Sequence, residues 1–481
     1  MQLSDSVDAN DRRETVFETK YTDELLRPLL KPQVRAILIK GEPGTGKTTI
    51  ALELLRLYGK GIYVSTRVAE EQSSEHHPEL NALFKKGDVL EISGDQASKK
   101  KIMNYSFEDL RLSDPKSVVS TILKSVDQVK DALIVLDSWD AIANRTERIE
   151  RLKVEQSLSL IAVGRNARLV FISEEPVMTT TDYLVDAVIT LKNDLYEGRR
   201  VRKLEWNKLR GSSIPHWTTL YTLAGGRFSL LGTSGSTWST IPEPKAFRPL
   251  PNKGLFYSTG SRDVDAFLGG GLRKGCQILV EYGKYVGSSA FNPITTSIRC
   301  NFLMNGGCNM TIPSPGVTAN RIKEAVLRHV PESIVRSRLR QGYFDIFDKD
   351  PCFFALDATS PTNSFDILMK EVQKVKEEKN KPCFFSYGAD TLEYVYSHED
   401  AFRFGQGLLQ RVRHLGDVLI AIARYGYPYV TELSYLSEIH IKLDTIDDAL
   451  VLQSVKPWSQ LFHVNYDYSL GVPNIHLTPL V

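Results

Sequence analysis

From residue 34 to 55 the chain reads Val34-Arg35-Ala36-Ile37-Leu38-Ile39-Lys40, then Gly41-Glu42-Pro43-Gly44-Thr45-Gly46-Lys47-Thr48, then Thr49-Ile50-Ala51-Leu52-Glu53-Leu54-Leu55. The first run is apolar and of strand length, and the last continues as a helix. The middle eight residues fit G-x-x-x-x-G-K-[ST] without a mismatch. A strand, a glycine loop and a helix N-terminus make a nest of backbone N–H groups suited to a phosphate. Gly41, Gly44 and Gly46 permit backbone angles and a close approach that a Cβ would block. Lys47 can reach the β- and γ-phosphates, and the Thr48 hydroxyl can ligate Mg²⁺. Gly41, Glu42, Pro43, Gly44, Thr45, Gly46, Lys47, Thr48 and Thr49 are therefore the candidate residues for binding ATP.

The alternation continues outward from this stretch. Strands are expected at 61–65, 89–92, 133–136, 169–173 and 187–191, with helical segments between them, which predicts an α/β fold with a mostly parallel central sheet flanked by helices. After Arg199 the strands come closer together, at 202–206 and 217–223, and predict an antiparallel extension of that sheet. Leu133-Ile134-Val135-Leu136-Asp137 is an apolar strand ending in an acid. Alone the pattern is common to many buried strands. Downstream of a complete phosphate loop it makes Asp137 the candidate carboxylate of the Mg²⁺ shell, beside Thr48.

At 481 residues the chain is too long for a single core. A Ser/Thr/Gly/Pro-rich stretch, residues 232–254, reads as a linker. It divides a nucleotide-binding domain, 1–231, from a second domain, 255–481, whose strands at 277–281, 382–387, 418–423 and 439–443 repeat the order of the first. Tyr282 falls at the place of Gly41, and Asp390 at that of Asp137. The repeated order predicts a duplicated fold.

Composition excludes several classes. A formal net charge of +2 makes no global case for nucleic acid or an anionic membrane. No apolar run approaches the roughly 20 residues that cross a bilayer. The N-terminal residues are polar, unlike a signal peptide. Five cysteines without C-x-x-C spacing give neither a disulfide framework nor a zinc site. These features predict a cytoplasmic protein without a membrane partner.

The chain resembles the RecA-superfamily ATPases of the group that joins KaiC, the gas-vesicle regulator GvpD and the recombinase paralogues. The resemblance rests on the phosphate loop, Leu133–Asp137, Tyr183-Leu184-Val185-Asp186-Ala187-Val188-Ile189-Thr190-Leu191 and the ending Lys208-Leu209-Arg210-Gly211. In the second half it rests on Ser258-Thr259-Gly260 and Asp265-Ala266-Phe267-Leu268-Gly269-Gly270-Gly271-Leu272, a tag of KaiC-type domains. It implies tandem RecA-like domains, ATP with Mg²⁺, and assembly into homo-oligomers with nucleotide sited at the interfaces. It also implies that Lys208 and Arg210 form a K-x-R pair reaching a neighbour's γ-phosphate, which adds them to Lys47 and Asp137 as candidate catalytic residues. The plain alternative for that pair is a solvated basic strand edge.

Two departures qualify the resemblance. KaiC-type domains carry a Glu-Glu pair after the second strand, where this chain has Arg67-Val68, and arginine cannot serve as a base. Glu70, Glu71, Glu174 and Glu175 are either substitutes or solvated loop carboxylates. Hydrolysis is therefore expected to be slow. In the second half Tyr282-Gly283-Lys284-Tyr285-Val286-Gly287-Ser288-Ser289 replaces the phosphate loop and Lys456-Pro457-Trp458 replaces K-x-R, which predicts a degenerate domain used as a scaffold. The expected function is a regulatory ATPase that couples nucleotide state to assembly and to a partner protein. A recombination or DNA-repair accessory ATPase is the alternative, with DNA contacts resting on two short basic runs, 98–101 and 199–203.

Overall fold

Strand β1 (Ala36–Gly41) is buried along its whole length. Ile37 and Ile39 enter one hydrophobic cluster, Ala36 and Leu38 another. Successive side chains point to opposite faces of a strand, so a strand buried on both faces belongs inside a sheet covered on both sides. The computed structural model describes residues 21–65, 105–109, 115–129, 131–143, 147–175, 178–214, 216–233, 243–344, 350–376, 381–469 and 471–481. Within it the chain divides into two compact units, Met1–Gly232 with Leu480–Val481, and Thr233–Pro479.

The first unit is built on a nine-stranded sheet. Its strands are β1, β2 (Gly61–Ser65), β3 (Tyr105–Asp109), β4 (Leu133–Asp137), β5 (Arg168–Ser173), β6 (Ala187–Tyr196), β7 (Arg199–Leu209), β8 (Thr218–Thr222) and β9 (Ser229–Leu230). They lie in the order β3-β2-β4-β5-β1-β6-β7-β8-β9. Pairing is parallel from β3 to β6 and antiparallel from β6 to β9. Helix α1 (Lys47–Tyr58) sets Ile50, Leu54 and Leu55 against one face. It ends at Gly59, whose left-handed backbone lets its N–H reach the Leu55 carbonyl at 3.0 Å. Helices α2 (Pro115–Gln128) and α3 (Arg148–Gly164) cover the other face with Ile122, Val126, Leu158 and Ala162.

The second unit repeats this plan with a ten-stranded sheet. Its strands are β12 (Gln277–Tyr282), β13 (Cys308–Ile312), β14 (Leu339–Tyr343), β15 (Phe353–Ala355), β16 (Cys383–Gly388), β17 (Val418–Ala423), β18 (Ile439–Ile446), β19 (Ala449–Lys456), β20 (Phe462–Asp467) and β21 (Asn474–Pro479). The order is β15-β14-β13-β16-β17-β12-β18-β19-β20-β21. Apart from the added edge strand β15, it is the order of the first sheet. A two-stranded ribbon, β10 (Phe256–Tyr257) with β11 (Leu272–Arg273), precedes it. The ribbon explains the tag quoted above: the Asp265 carboxylate accepts from Ser258 Oγ at 2.5 Å, Thr259 Oγ1 at 2.6 Å and Thr259 N at 2.7 Å. A Cβ on Gly271 would meet the Tyr257 carbonyl oxygen at 2.5 Å, so the chain needs glycine there.

The expected fold class holds in both units. The strand expected at 89–92 lies outside the described residues, as do Thr66, Arg67, Val68, Glu70, Glu71 and the basic run 98–101. The register corrects one placement. Leu136 pairs with Phe171, which pairs with Leu38 of β1. Correspondingly Tyr387 pairs with Ala421, which pairs with Leu279 of β12. The residue in the place of Asp137 is therefore Gly388, and Asp390 lies beyond the strand, in the first turn of the helix Ala389–Val395. Among the described residues no helix is long and apolar enough to cross a membrane, and all five cysteines are buried and free.

Candidate functional site

Alternation along β4 fixes the site. Leu133 and Val135 face the cluster under α1, so Asp137, two residues on, faces α1 as well. Its Oδ2 accepts from Thr48 Oγ1 on α1 at 2.6 Å. It also accepts from the hydroxyl of Tyr63 on β2 at 2.6 Å. Burial, with the Asp137 charge second, raises the Tyr63 phenol well above its ordinary range, so it remains a neutral donor. A hydroxyl and a carboxylate oxygen thus stand side by side at the end of the glycine loop. That hard-oxygen pair suits a divalent cation such as Mg²⁺.

The loop itself is a cradle. Gly41, Gly44 and Gly46 all have positive φ, 153°, 77° and 91°. A Cβ on Gly46 would press on Leu223 at 2.9 Å, whereas one on Gly44 would meet nothing within 4 Å. Thr45 closes the turn onto the Glu42 carbonyl through its hydroxyl at 2.8 Å. Lys47 is buried, and its ammonium curls back to the carbonyls of Gly41 at 2.7 Å and Glu42 at 2.9 Å. A phosphate in the nest would offer that cation a charged acceptor in place of two neutral ones. Glu42, Pro43 and Thr49 are the remaining loop residues at this end of β1 and α1, and Thr49 is buried.

Two supports of the loop come from the antiparallel strands and carry no motif. Arg202 on β7 donates through Nη1 to the Gly44 carbonyl at 2.9 Å and to Asn193 Oδ1 at 3.0 Å. Tyr221 on β8 donates to the Thr45 carbonyl at 2.5 Å. Arg199 and Arg202 are both buried, and Lys203 pairs with Asp194 at 3.2 Å. Of the basic run at 199–203, Arg202 therefore supports the loop from inside, and the run presents only part of its charge to solvent.

Lys208 and Arg210 fall on one side, with Leu209 between them packed against the core. Lys208 donates to the Asp182 carbonyl at 2.9 Å, at the end of helix α4 (Thr180–Leu184). Burial, and then the charge of Arg210, lower its pKa. Arg210 is more than half exposed and pairs with Asp186 at 3.2 Å. Among the described residues, the groups their side chains bond to belong to the 182–186 segment and not to the glycine loop. Lys456 of the second unit does what Lys208 does, donating to the carbonyls of Ser434 at 3.0 Å and Ser437 at 2.8 Å around the end of helix Val430–Leu436. Holding a helix end is thus common to both lysines, while the exposed guanidinium has no counterpart: Trp458 stands there, 66% exposed.

Behind the loop, Lys40 at the end of β1 is buried and bonded to both oxygens of Asp182 at 3.0 Å. Glu174 and Glu175 follow β5, the strand lying between β4 and β1. The Glu174 N–H donates to Asp140 Oδ2 and the Glu175 N–H to Ser173 Oγ at 3.1 Å. Both carboxylates therefore start from a fixed backbone between Asp137 and the loop. In the second unit the corresponding loop differs throughout. Tyr282 is buried, Lys284 is exposed and stacks on Tyr285, and a Cβ on Gly283 would strike the Asp444 carboxylate at 2.0 Å.

A glycine loop between β1 and α1, a strand-end carboxylate two strands away and this sheet order define a P-loop NTPase domain of the RecA-like kind. Residues 29–207 match the family model of the GvpD gas vesicle protein, P-loop domain. The chain is 27% identical to protein GvpD2 of Halobacterium salinarum over 93% of its own length and 94% of that protein. To protein GvpD1 of the same organism it is 24% identical, over 96% and 98%. To the DNA repair protein RadA of Aquifex aeolicus it is 26% identical, over 50% of this chain and 48% of RadA.

Proposed function

We propose that this chain is an ATP-binding, slowly hydrolysing regulatory ATPase of the KaiC/GvpD type, acting in gas-vesicle control by coupling nucleotide state to assembly and to a partner protein. The observation that carries the reading is the juxtaposition of Lys47 in its glycine cradle with the Thr48–Asp137–Tyr63 cluster. Lys47 and the loop N–H groups would meet the phosphates, while Thr48 and Asp137 would hold Mg²⁺, which supplies charge neutralisation when bound. Tyr63 keeps the Asp137 carboxylate aimed at Thr48, and Arg202 and Tyr221 keep the loop carbonyls turned away from the nest. Arg210, exposed at a strand end, is the group available to a neighbouring subunit's nucleotide. The second unit, with tyrosines and no lysine at position 288, serves as a scaffold.

Steady-state turnover tests the catalytic part. It should fall well below the ~1–10³ s⁻¹ of typical enzymes, and Glu174→Gln should lower it further if Glu174 orients the attacking water. Rapid turnover that survives loss of Glu70, Glu71, Glu174 and Glu175 together would refute the reading. The RadA similarity supports the DNA-repair alternative, and the purified protein's affinity for DNA as a function of salt separates the two. The reading proposed here expects only weak binding with no sequence preference.

A further inference from the structure

Arg299 lies in the middle of helix α5 (Asn292–Met304) and is 4% exposed. Its Nε is buried with no hydrogen-bond partner. The groups that act on it electrostatically are Cys300, Tyr282 and Tyr343, none of them a carboxylate. Burial pulls its pKa down to about 10, which still leaves a full positive charge at neutral pH. An uncompensated buried charge is costly, and structures almost always pair it.

Arg299 lines a cavity of about 320 Å³ within the second unit, at the lower end of the range for small-molecule sites. Asn292, Thr296 and Arg299 line it from α5, where spacings of four and three residues put them on one face. Helix Ala319–Leu327 and the turn after it bring Arg321, Glu324, Arg328 and His329. Arg321 and Arg328 are exposed residues two turns apart, one face of that helix at the mouth. Pro244, Tyr468 and Pro473 supply an apolar wall. Three guanidinium groups against one carboxylate leave an excess of two positive charges, one at the floor and one at the mouth. Water filling the cavity can hydrogen-bond to Arg299 but cannot balance its charge.

We infer that this cavity is a binding site for a small phosphate monoester, with the phosphate seated on Arg299 and the body of the ester against the Pro244–Tyr468–Pro473 wall. The charge count selects a dianion, and a phosphate monoester carries about −1.5 to −2 at pH 7. The planar fork of arginine matches phosphate geometry with two parallel N–H bonds. The site is separate from the glycine loop, uses none of its residues and does not depend on the ATPase reading.

The test uses the full-length Lys47→Ala protein, so that the P-loop does not contribute. Melting temperature and calorimetric affinity are measured with AMP, ribose 5-phosphate and inorganic phosphate, with adenosine, ribose and sulfate as controls. The monoesters should raise the melting temperature saturably, while adenosine and ribose do nothing. Arg299→Met should abolish the shift while the protein without ligand melts no lower than its parent, because a buried unpaired charge is gone. Should that variant fail to fold, Arg321→Ala with Arg328→Ala decides, with affinity expected to drop at least about ten-fold. The inference is overturned if no monoester binds, if sulfate acts equally in every variant, or if binding survives Arg299→Met unchanged. Binding of inorganic phosphate without either ester would overturn the assignment to an ester.

Discussion

Tyr63 contributes to the site through a single hydroxyl. Its bond to Asp137 spans 74 residues of sequence and orients the carboxylate that also receives Thr48. Tyr63→Phe keeps the ring in the core and removes only that donor. It should weaken Mg²⁺-dependent ATP binding by about 1 kcal/mol, roughly five-fold, since a net hydrogen bond is worth that much. Comparing ATP affinity with and without Mg²⁺ checks this, because an equal loss in both would place the hydroxyl's role elsewhere. Lys47, Thr48 and the three glycines could be read directly because they are contiguous and each has a conformational or chemical need. Asp137 was readable from the apolar strand before it. Tyr63, Arg202 and Tyr221 were not, since a tyrosine in a strand reads as core and an arginine in a basic run reads as surface. What makes them part of the site is cross-strand distance: Arg202 and Tyr221 reach loop carbonyls 158 and 176 residues away in sequence.

Single bonds also tie whole elements together. Strand β1 is anchored to helix α4 by Lys40 and Asp182, both buried, and Asp182 caps its own helix through Thr179 N at 2.7 Å and Thr179 Oγ1 at 2.8 Å. Burial works against the Asp182 charge, but the Thr179 N–H, Lys40 and the Thr179 hydroxyl together hold its pKa below the ordinary carboxylate range. A carboxylate lowered in the folded state adds stability above its unfolded value near pH 4, and that stability is lost as pH falls through the folded value. Lys40→Met should therefore flatten the fall in urea midpoint between about pH 5 and pH 2, and an unchanged slope would rule out Lys40 as a source of it. Asp182→Asn, which takes from the buried Lys40 ammonium the carboxylate charge it is bonded to, should cost on the order of 3–5 kcal/mol by urea denaturation. At the end of β7 the two cations should separate by role. Lys208→Ala loses a helix-end contact and should lower stability by about 1 kcal/mol. Arg210→Ala should leave ATP binding by isolated chains nearly intact while impairing hydrolysis or ATP-driven assembly, as light scattering and phosphate release would show. The element order was largely legible, because apolar runs alternating with helical segments have few packing solutions. Strands such as β13 and β14 escaped notice because buried polar residues, Asn309, Thr311 and Gln341, break the apolar pattern. The placement of Asp390 failed for a related reason: spacing along a chain does not reveal pairing register.

Across the whole molecule one sheet order occurs twice, but the chemistry of the glycine loop occurs once. The first unit has Lys47, Thr48 and Asp137. The second has tyrosines in the loop, Gly388 in the place of the carboxylate and Trp458 in the place of Arg210. If head-to-tail contacts bring Arg210 to a neighbour's nucleotide, assembly follows ATP occupancy, and mass measured by light scattering should rise with ATP and Mg²⁺ and fall with ADP. The central claim is that a single P-loop site per chain carries the nucleotide. Calorimetric titration of ATP with Mg²⁺ into the wild-type and Lys47→Ala proteins tests it most directly. The wild type should bind about one ATP per chain and the variant should lose that binding by a few kcal/mol, the scale of a charge-assisted phosphate contact. Two equivalent ATP sites per chain, or affinity unchanged in Lys47→Ala, would contradict the account.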